Sequence, residues 1–92
     1  MAKEEFTIVN KLGLHARAAA MLVQLAGTFS AEITVSKAGL EINGKSIMGV
    51  LMLAAACGSS ITIEAVGDDE DAALQALGNL VNDGFGELDG EQ

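Results

Sequence analysis

The only histidine of the chain, His15, lies in the segment 11–17, where the sequence KLGLHAR leads from an alternating stretch into an alanine-rich one. The first N–H groups of a helix lack partners within the helix and carry a partial positive charge, so a helix start attracts phosphate. An imidazole with its ordinary pKa near ~6.5 is largely neutral at physiological pH and can act as a nucleophile. Arg17 adds a permanent cation with forked donors. These residues together predict reversible phosphoryl transfer on His15.

A second segment, GKSIMG at 44–49, follows a predicted turn. Ser46 is a good N-cap for a short helix from residue 47 to about 53. A phosphate on that hydroxyl would improve the helix cap, so a phosphoserine could form there without unfolding the helix. Ser46 is therefore expected to cap the helix and is also a candidate for regulatory modification.

Apolar side chains near both segments allow two interpretations. If they are exposed around His15, they form a docking patch, and methionine suits a surface that must accept several partners. If they point inward, they are ordinary core. The side chains concerned are Ala20, Met21, Ile47, Met48 and Leu51.

The hydrophobic patterning predicts that the strands and helices of the chain follow the order β-α-β-β-α-β-α. Alternating stretches predict strands at 5–9, 32–36, 40–42 and 61–66, with a hairpin turn at 37–39. Helices are predicted at 16–26, at 47 to about 53, and from 67–69 to the glycines at 84 and 86. The last helix should bury Leu74, Leu77 and Val81.

This order predicts an α+β domain, an open-faced sandwich in which three helices cover one face of a four-stranded antiparallel sheet. The chain of 92 residues is expected to form a single domain over 1–92. We expect residues from about 3 to 86 to be well ordered and residues 87–92 to form an acidic tail.

Thirteen acidic and five basic residues give a net charge of −8, which argues against a nucleic-acid partner. Acidic residues cluster at 68–71 and again at 87–91, either as a solvated surface or as a region that steers a partner. The longest apolar run, 47–57, is too short to span a bilayer, which needs about 20 residues. The chain is expected to be a monomer without membrane insertion.

Three of the first five residues are charged and the N-terminus lacks an apolar signal region, and the single cysteine cannot form an internal disulfide. Both features favour a cytoplasmic protein. Cys57 is expected to pack as a small apolar residue. One histidine without a cysteine pair cannot form the usual metal ligand set, so we expect neither a metal nor another cofactor.

Taken together, GLHAR at 13–17 and GKSIMG at 44–49 resemble the HPr family, the histidine-containing phosphocarrier proteins of the bacterial phosphoenolpyruvate-dependent sugar phosphotransferase system. The resemblance extends from Phe6 to about Phe85. It implies a carrier rather than a turnover enzyme: Enzyme I phosphorylates the histidine matching His15, at Nδ1, and the carrier passes the group to IIA components of sugar transporters. It also implies that the residue matching Arg17 helps hold the phosphoryl group and that HPr kinase/phosphorylase acts on the one matching Ser46.

Ala18 stands where the family usually has proline, which affects the rigidity of the helix start more than the fold.

The sequence leaves three alternatives to a sugar-transport carrier: a regulatory binding module, a nitrogen-branch paralogue, and an unrelated α+β domain with a chance motif. A carrier should lose its activity on His15→Ala, whereas a binding module should respond instead to Ser46→Asp.

Overall fold

The computed structural model describes residues 1–87, which form a sheet of four strands covered by helices. The strands are β1 (Ala2–Thr7), β2 (Glu32–Lys37), β3 (Leu40–Asn43) and β4 (Ser60–Val66). The helices are α1 (Ala16–Ala26), α2 (Ile47–Met52) and α3 (Glu70–Asn82), followed by one 3₁₀ turn (Gly84–Gly86). The sheet order is β1-β4-β2-β3 and every neighbouring pair is antiparallel. The predicted α+β class and element order are confirmed.

The two faces of the sheet differ because successive side chains of a strand point to opposite sides. On the inner face, Phe6 lies opposite Ile61 and Ile63 lies opposite Val35, and all four are buried. The outer face carries polar side chains such as Thr34 and Glu64, which also lie opposite each other and are partly exposed.

The helices cover the inner face. Helix α3 packs against β1 and β4, and α1 packs against both α2 and α3. Leu22 of α1 and Leu77 and Val81 of α3 are almost completely buried, as is Phe85 in the 3₁₀ turn. Leu74, predicted to be buried, is only partly so. The buried core therefore lies between the sheet and the helices.

Strand β1 begins earlier than the alternation predicts and ends at Thr7. Ala2, Lys3 and Glu4 pair with β4 although their side chains do not alternate in polarity. Ile8 no longer belongs to the strand, yet its N–H donates to the carbonyl of Ser59 over 2.9 Å. The length of β1 is therefore set by its pairing with β4. The polarity pattern within the β1 segment alone does not indicate this length.

Two further sequence expectations differ from the structure. Cys57 is exposed rather than packed, because it lies in the turn that leads from α2 back to β4. Glu87, the first residue of the expected tail, is held by hydrogen bonds to two side chains. The rest of that tail, 88–92, lies outside the described residues.

Within residues 1–87, no helix is long and apolar enough to cross a membrane.

The carboxylate of Asp69 connects the start of α3 to the loop before β2. It accepts the backbone N–H groups of Ser30 and Ala31, each over 2.8 Å. These bonds lower the pKa of the Asp69 carboxyl, and the bond from Ser30 has the largest effect. The side chain does not cap its own helix, so its contribution is to tertiary structure.

We expect Asp69→Asn to destabilise the fold at neutral pH, because an amide has one acceptor oxygen in place of two. A carboxyl whose pKa is lowered by folding stabilises above its unfolded pKa of about 3.9, and that contribution disappears as the pH falls through the lower folded value. The difference in unfolding free energy between wild type and variant should therefore shrink below about pH 4. Urea unfolding followed by circular dichroism measures it. The exposed neighbour provides the control, since Asp68→Asn should change little at any pH.

Candidate functional site

The loop between β1 and α1 sets the position of His15. The N–H of Gly13 donates to the carbonyl of Asn10 over 3.1 Å, and the N–H of Leu14 donates to the carbonyl of Ala55 over 2.8 Å. Gly13 has a φ of +69°, and a Cβ on it would lie 2.5 Å from the oxygen of Ala55. Leu14 is buried in the core. The residue before His15 is thus anchored, and the loop approaches Ala55 as closely as glycine permits.

His15 is the N-cap of α1. Its backbone is extended, with φ −75° and ψ 179°, and its Nδ1 accepts the N–H of Arg17 over 3.3 Å. Its carbonyl accepts the N–H of Ala19 over 2.8 Å, which starts the helical hydrogen bonds. The predicted helix over 16–26 is confirmed at both ends, with Ala18 buried in the first turn. Nδ1 therefore lies at the unpaired amides of a helix start.

The other edge of the ring faces Glu87. Its Oε2 lies 2.6 Å from Nε2 of His15, and its Oε1 accepts Nδ2 of Asn10 over 2.9 Å. The same Nδ2 donates to the carbonyl of Gly13 over 2.9 Å. One network therefore connects the loop before α1, the ring of His15 and the residue after the 3₁₀ turn.

The partners fix where the protons lie. A carboxylate and a carbonyl oxygen only accept, so the amide nitrogen of Asn10 must face both of them. For the same reason Nε2 of His15 carries a hydrogen and donates it to Glu87. Nδ1 receives an N–H from Arg17 and so holds a lone pair. The neutral ring is the Nε2–H tautomer, with its nucleophilic nitrogen at the helix start.

Electrostatics favour an ionised Glu87. The hydrogen bond from Asn10, followed by the contact with His15, lowers the pKa of the Glu87 carboxyl, and the charge of Arg17 acts in the same direction. Asn10 itself is completely buried, and its Oδ1 accepts no hydrogen bond within the described part of the chain. Such an unpaired oxygen costs about 1–3 kcal/mol. The two bonds from Nδ2, one to a charged acceptor, oppose that cost.

Arg17 is exposed at the same helix start. Within residues 1–87 its guanidinium forms no ion pair, so its donors are available to an added anion. Lys45 is held elsewhere, since its ammonium donates to the carbonyl of Phe29 over 2.8 Å. Among the described residues, no group of three or more His, Cys, Asp or Glu side chains could hold a metal ion. The site therefore offers a nucleophilic ring nitrogen and hydrogen-bond donors for an anion.

The second segment forms a helix cap. The Oγ of Ser46 accepts the N–H of Gly49 over 3.1 Å at the start of α2. Ile47 and Met48 beside it are exposed, by 40% and 68%. Three members of the predicted patch are partly buried, namely Ala20, Met21 and Leu51. Since α1 and α2 pack together, the patch residues lie on neighbouring helices.

Part of this surface and part of the network are not indicated by the sequence patterns. Leu12 and Met52 are 68% and 64% exposed, next to the segments already singled out. The contacts of Asn10 and Glu87 join residues 77 positions apart, so no spacing pattern indicates them. Only the three-dimensional path of the chain after α3 reveals them.

Comparison with known proteins gives a consistent result. A family model described as "PTS HPr component phosphorylation site" matches residues 2–83. The phosphocarrier protein HPr of Cupriavidus necator is 52% identical over 87 residues, 95% of this chain and 98% of the relative. HPr-C-His from Thermoanaerobacter tengcongensis has a TM-score of 0.92 at 45% identity, covering 95% of this chain and 98% of that one. An HPr dimer from the same organism has a TM-score of 0.76 at 45% identity, covering 95% and 100%.

We expect Gly13→Ala to lower the unfolding free energy by roughly 2–4 kcal/mol, because it combines a left-handed backbone with a close contact to the Ala55 carbonyl. Gly39→Ala provides the matched control. Its φ is also positive, at +88°, but nothing lies within 4 Å of an added Cβ. That variant should lose only about 1 kcal/mol. Urea unfolding of both variants measures the difference, and equal losses would contradict the close approach.

Proposed function

The chain belongs to the HPr family of phosphocarrier proteins of the phosphotransferase system, and on this premise we propose that His15 accepts a phosphoryl group from phospho-Enzyme I and donates it to IIA components of sugar transporters. The observation that carries the proposal is the lone pair on Nδ1, directed to a helix start beside Arg17, whose guanidinium forms no ion pair within residues 1–87. The ring is reachable, with 27% of its side chain exposed.

The transfer needs only one bond exchange. Nδ1 attacks phosphorus while the bond between phosphorus and the nitrogen of the donor histidine breaks, and that bonding pair stays with the donor. Charge spreads over the phosphoryl oxygens as the two nitrogens align with phosphorus. The reverse exchange passes the group to the next acceptor.

Two donors in the first turn of α1 suit those oxygens. The N–H of Arg17, which donates weakly to Nδ1 over 3.3 Å in the resting protein, is free to donate to an oxygen once Nδ1 is occupied. The guanidinium of Arg17 adds forked donors and a full charge. Donors already in place need little reorganisation when charge develops. Arg17 is thus the proposed phosphate-stabilising residue.

The apolar patch of Ala20, Met21, Ile47, Met48 and Leu51 is the proposed docking surface for both partners. Exposed methionine adapts to different partner shapes, which a carrier with a donor and several acceptors requires. Leu12 and Met52 add exposed apolar area at its edges. His15 and Arg17 belong to one helix start of one chain, so the proposed acting form is a monomer.

Ser46 is the proposed site of regulation by HPr kinase/phosphorylase, with ATP as the donor. Its hydroxyl caps α2, where a dianion interacts favourably with the helix dipole. Phosphorylation would therefore leave the helix intact and place negative charge beside the exposed Ile47 and Met48. Its effect would be on docking rather than on folding.

We expect His15→Ala to lose phosphorylation completely while keeping its fold, because no second histidine is present. The measurement is phosphorus NMR after incubation with phosphoenolpyruvate, magnesium and Enzyme I of the same organism. The wild type should show an acid-labile phosphoramidate signal. Lys11→Ala, an exposed change in the same loop, serves as the control and should retain the signal.

A signal that persists in His15→Ala would contradict the assignment of the acceptor. A folded wild type that gains no signal with its own Enzyme I would instead favour a regulatory binding module. Phosphorylation without onward transfer to sugar-specific IIA components would favour the nitrogen branch.

We expect Ser46→Asp to keep the fold and to raise the KM of Enzyme I for this protein, roughly 3- to 10-fold, through charge placed at the docking surface. Ser46→Ala is the matched variant without charge. It should lower the unfolding free energy by about 1 kcal/mol through loss of the cap, with KM unchanged. Steady-state kinetics with Enzyme I and urea unfolding separate the two effects. The same KM for both variants would argue against regulation at the docking step.

A further inference from the structure

The chain contains one asparagine that directly precedes a glycine, Asn43 at the end of β3. Asparagine is among the thermolabile residues of proteins, and such a pair is its most reactive setting, because a glycine has no side chain to shield its backbone nitrogen. That nitrogen can attack Cγ of the preceding side chain and form a succinimide. The other asparagines, at 10, 79 and 82, precede larger residues. The sequence therefore contains a single pair suited to deamidation.

The side chain of Asn43 is exposed and folded forward over the turn that follows β3. Its Oδ1 accepts the N–H of Lys45 over 2.9 Å, the hydrogen bond of an Asx turn. When a nitrogen attacks Cγ, negative charge develops on Oδ1, and a donor already in place stabilises that charge. The main-chain carbonyl of Asn43 accepts the N–H of Ser46 over 3.0 Å, so the residue also supports the start of α2.

The backbone nitrogen of Gly44 is held away from this reaction. Its N–H donates to the carbonyl of Ile33 over 2.8 Å, one residue beyond the last pair of the hairpin, Thr34 and Asn43. The nitrogen cannot attack Cγ until this hydrogen bond opens. Gly44 is buried, and a Cβ on it would lie 2.5 Å from Cγ2 of Ile33, so the packing requires glycine there. The labile pair is thus built into the fold, and the end of the hairpin controls its reactivity.

We propose that Asn43 is a site of non-enzymatic deamidation, that the hydrogen bond from Gly44 to Ile33 gates the reaction, and that the carboxylate formed weakens docking at the start of α2. The third point rests on the proposed function, whereas the first two do not depend on it.

The reaction consumes only water. Hydroxide takes the proton of the Gly44 N–H, the nitrogen bonds to Cγ of Asn43, and the bond between Cγ and Nδ2 breaks as ammonia leaves with a proton from water. A second water then opens the succinimide. Opening at Cγ gives aspartate, and opening at the main-chain carbonyl gives isoaspartate, whose backbone is longer by one methylene. The net change is the hydrolysis of an amide to a carboxylate and ammonium.

Both products place a negative charge at the start of α2. In aspartate the side-chain carboxylate takes the position of the amide that accepts the N–H of Lys45. In isoaspartate the carboxylate derives from the carbonyl that accepts the N–H of Ser46. The charge therefore lies close to the segment that carries the exposed Ile47 and Met48, where a phosphate on Ser46 would also act.

The first test measures deamidation at mildly alkaline pH by peptide mass spectrometry. We expect modification at Asn43 before any other asparagine, at a rate at least about tenfold lower in the folded protein than in urea, because the hairpin must open locally. First modification at residue 10, 79 or 82 would overturn the site, and equal rates in the two conditions would overturn the gate.

A matched pair of variants separates local opening from global unfolding. Ile42 on β3 and Leu74 on α3 are both partly buried against the core. Ile42→Ala loosens the strand that precedes the pair, so we expect deamidation of the folded variant to be about threefold faster or more. Leu74→Ala should leave the rate unchanged, with circular dichroism confirming that both variants are folded. An equal acceleration by both would show that global unfolding controls the rate and would overturn the gate.

The second test measures the kinetics of phosphorylation by Enzyme I with phosphoenolpyruvate. Asn43→Asp, which carries the product charge, should raise the KM of Enzyme I for this protein about threefold with kcat unchanged. Asn82→Asp makes the same change at an exposed position at the end of α3 and should behave as wild type. A wild-type KM for Asn43→Asp would overturn the docking point. A wild type that Enzyme I does not phosphorylate would end the proposed function and the docking point with it, while the deamidation rates would still decide on the site and its gate.

Discussion

The hydrogen bond between Glu87 and His15 depends on nearly every element of the fold. It joins the N-cap of α1 to the residue that follows the last turn, over 72 positions of sequence. Asn10 completes it from the loop after β1. For these three side chains to meet, β1 must pair with β4 and α3 must lie across both strands. The chemistry of the ring is therefore a consequence of the tertiary structure and not of the segment around His15 alone.

The path of the chain after α3 is determined by Phe85. This residue has a φ of +57°, a left-handed conformation that costs an L-residue roughly 1–2 kcal/mol. Burying a phenylalanine side chain contributes about 1.5–3 kcal/mol, and the ring is only 1% exposed. Burial outweighs the backbone cost, so the chain turns back towards α1 instead of continuing the helix. Glu87 reaches His15 because of that turn.

Local sequence patterns predicted what local forces determine. The helix over 16–26, the cap at Ser46 and the hairpin before Leu40 depend on neighbouring residues, and the structure has them where the patterns indicate. The start of β1 and the exposure of Cys57 depend on distant segments, and there the predictions were wrong. His15 and Arg17 could be identified as a candidate site because both belong to one helix start. Asn10 and Glu87 could not, because contacts over such a separation leave no trace in spacing or periodicity.

A phosphoryl carrier must bind the group without trapping it, and the geometry around His15 suits both requirements of the proposed transfer. The two ring nitrogens point away from each other, so the carboxylate of Glu87 lies at the ring edge opposite the lone pair of Nδ1. In the proposed transfer, Arg17 and the first amides of α1 would meet the phosphoryl oxygens at an exposed surface, where water weakens each charged contact. The carboxylate of Glu87 has only 10% of its side chain exposed and orients the ring from the protein interior. The exposed Arg17 would hold a phosphoryl group weakly enough for onward transfer.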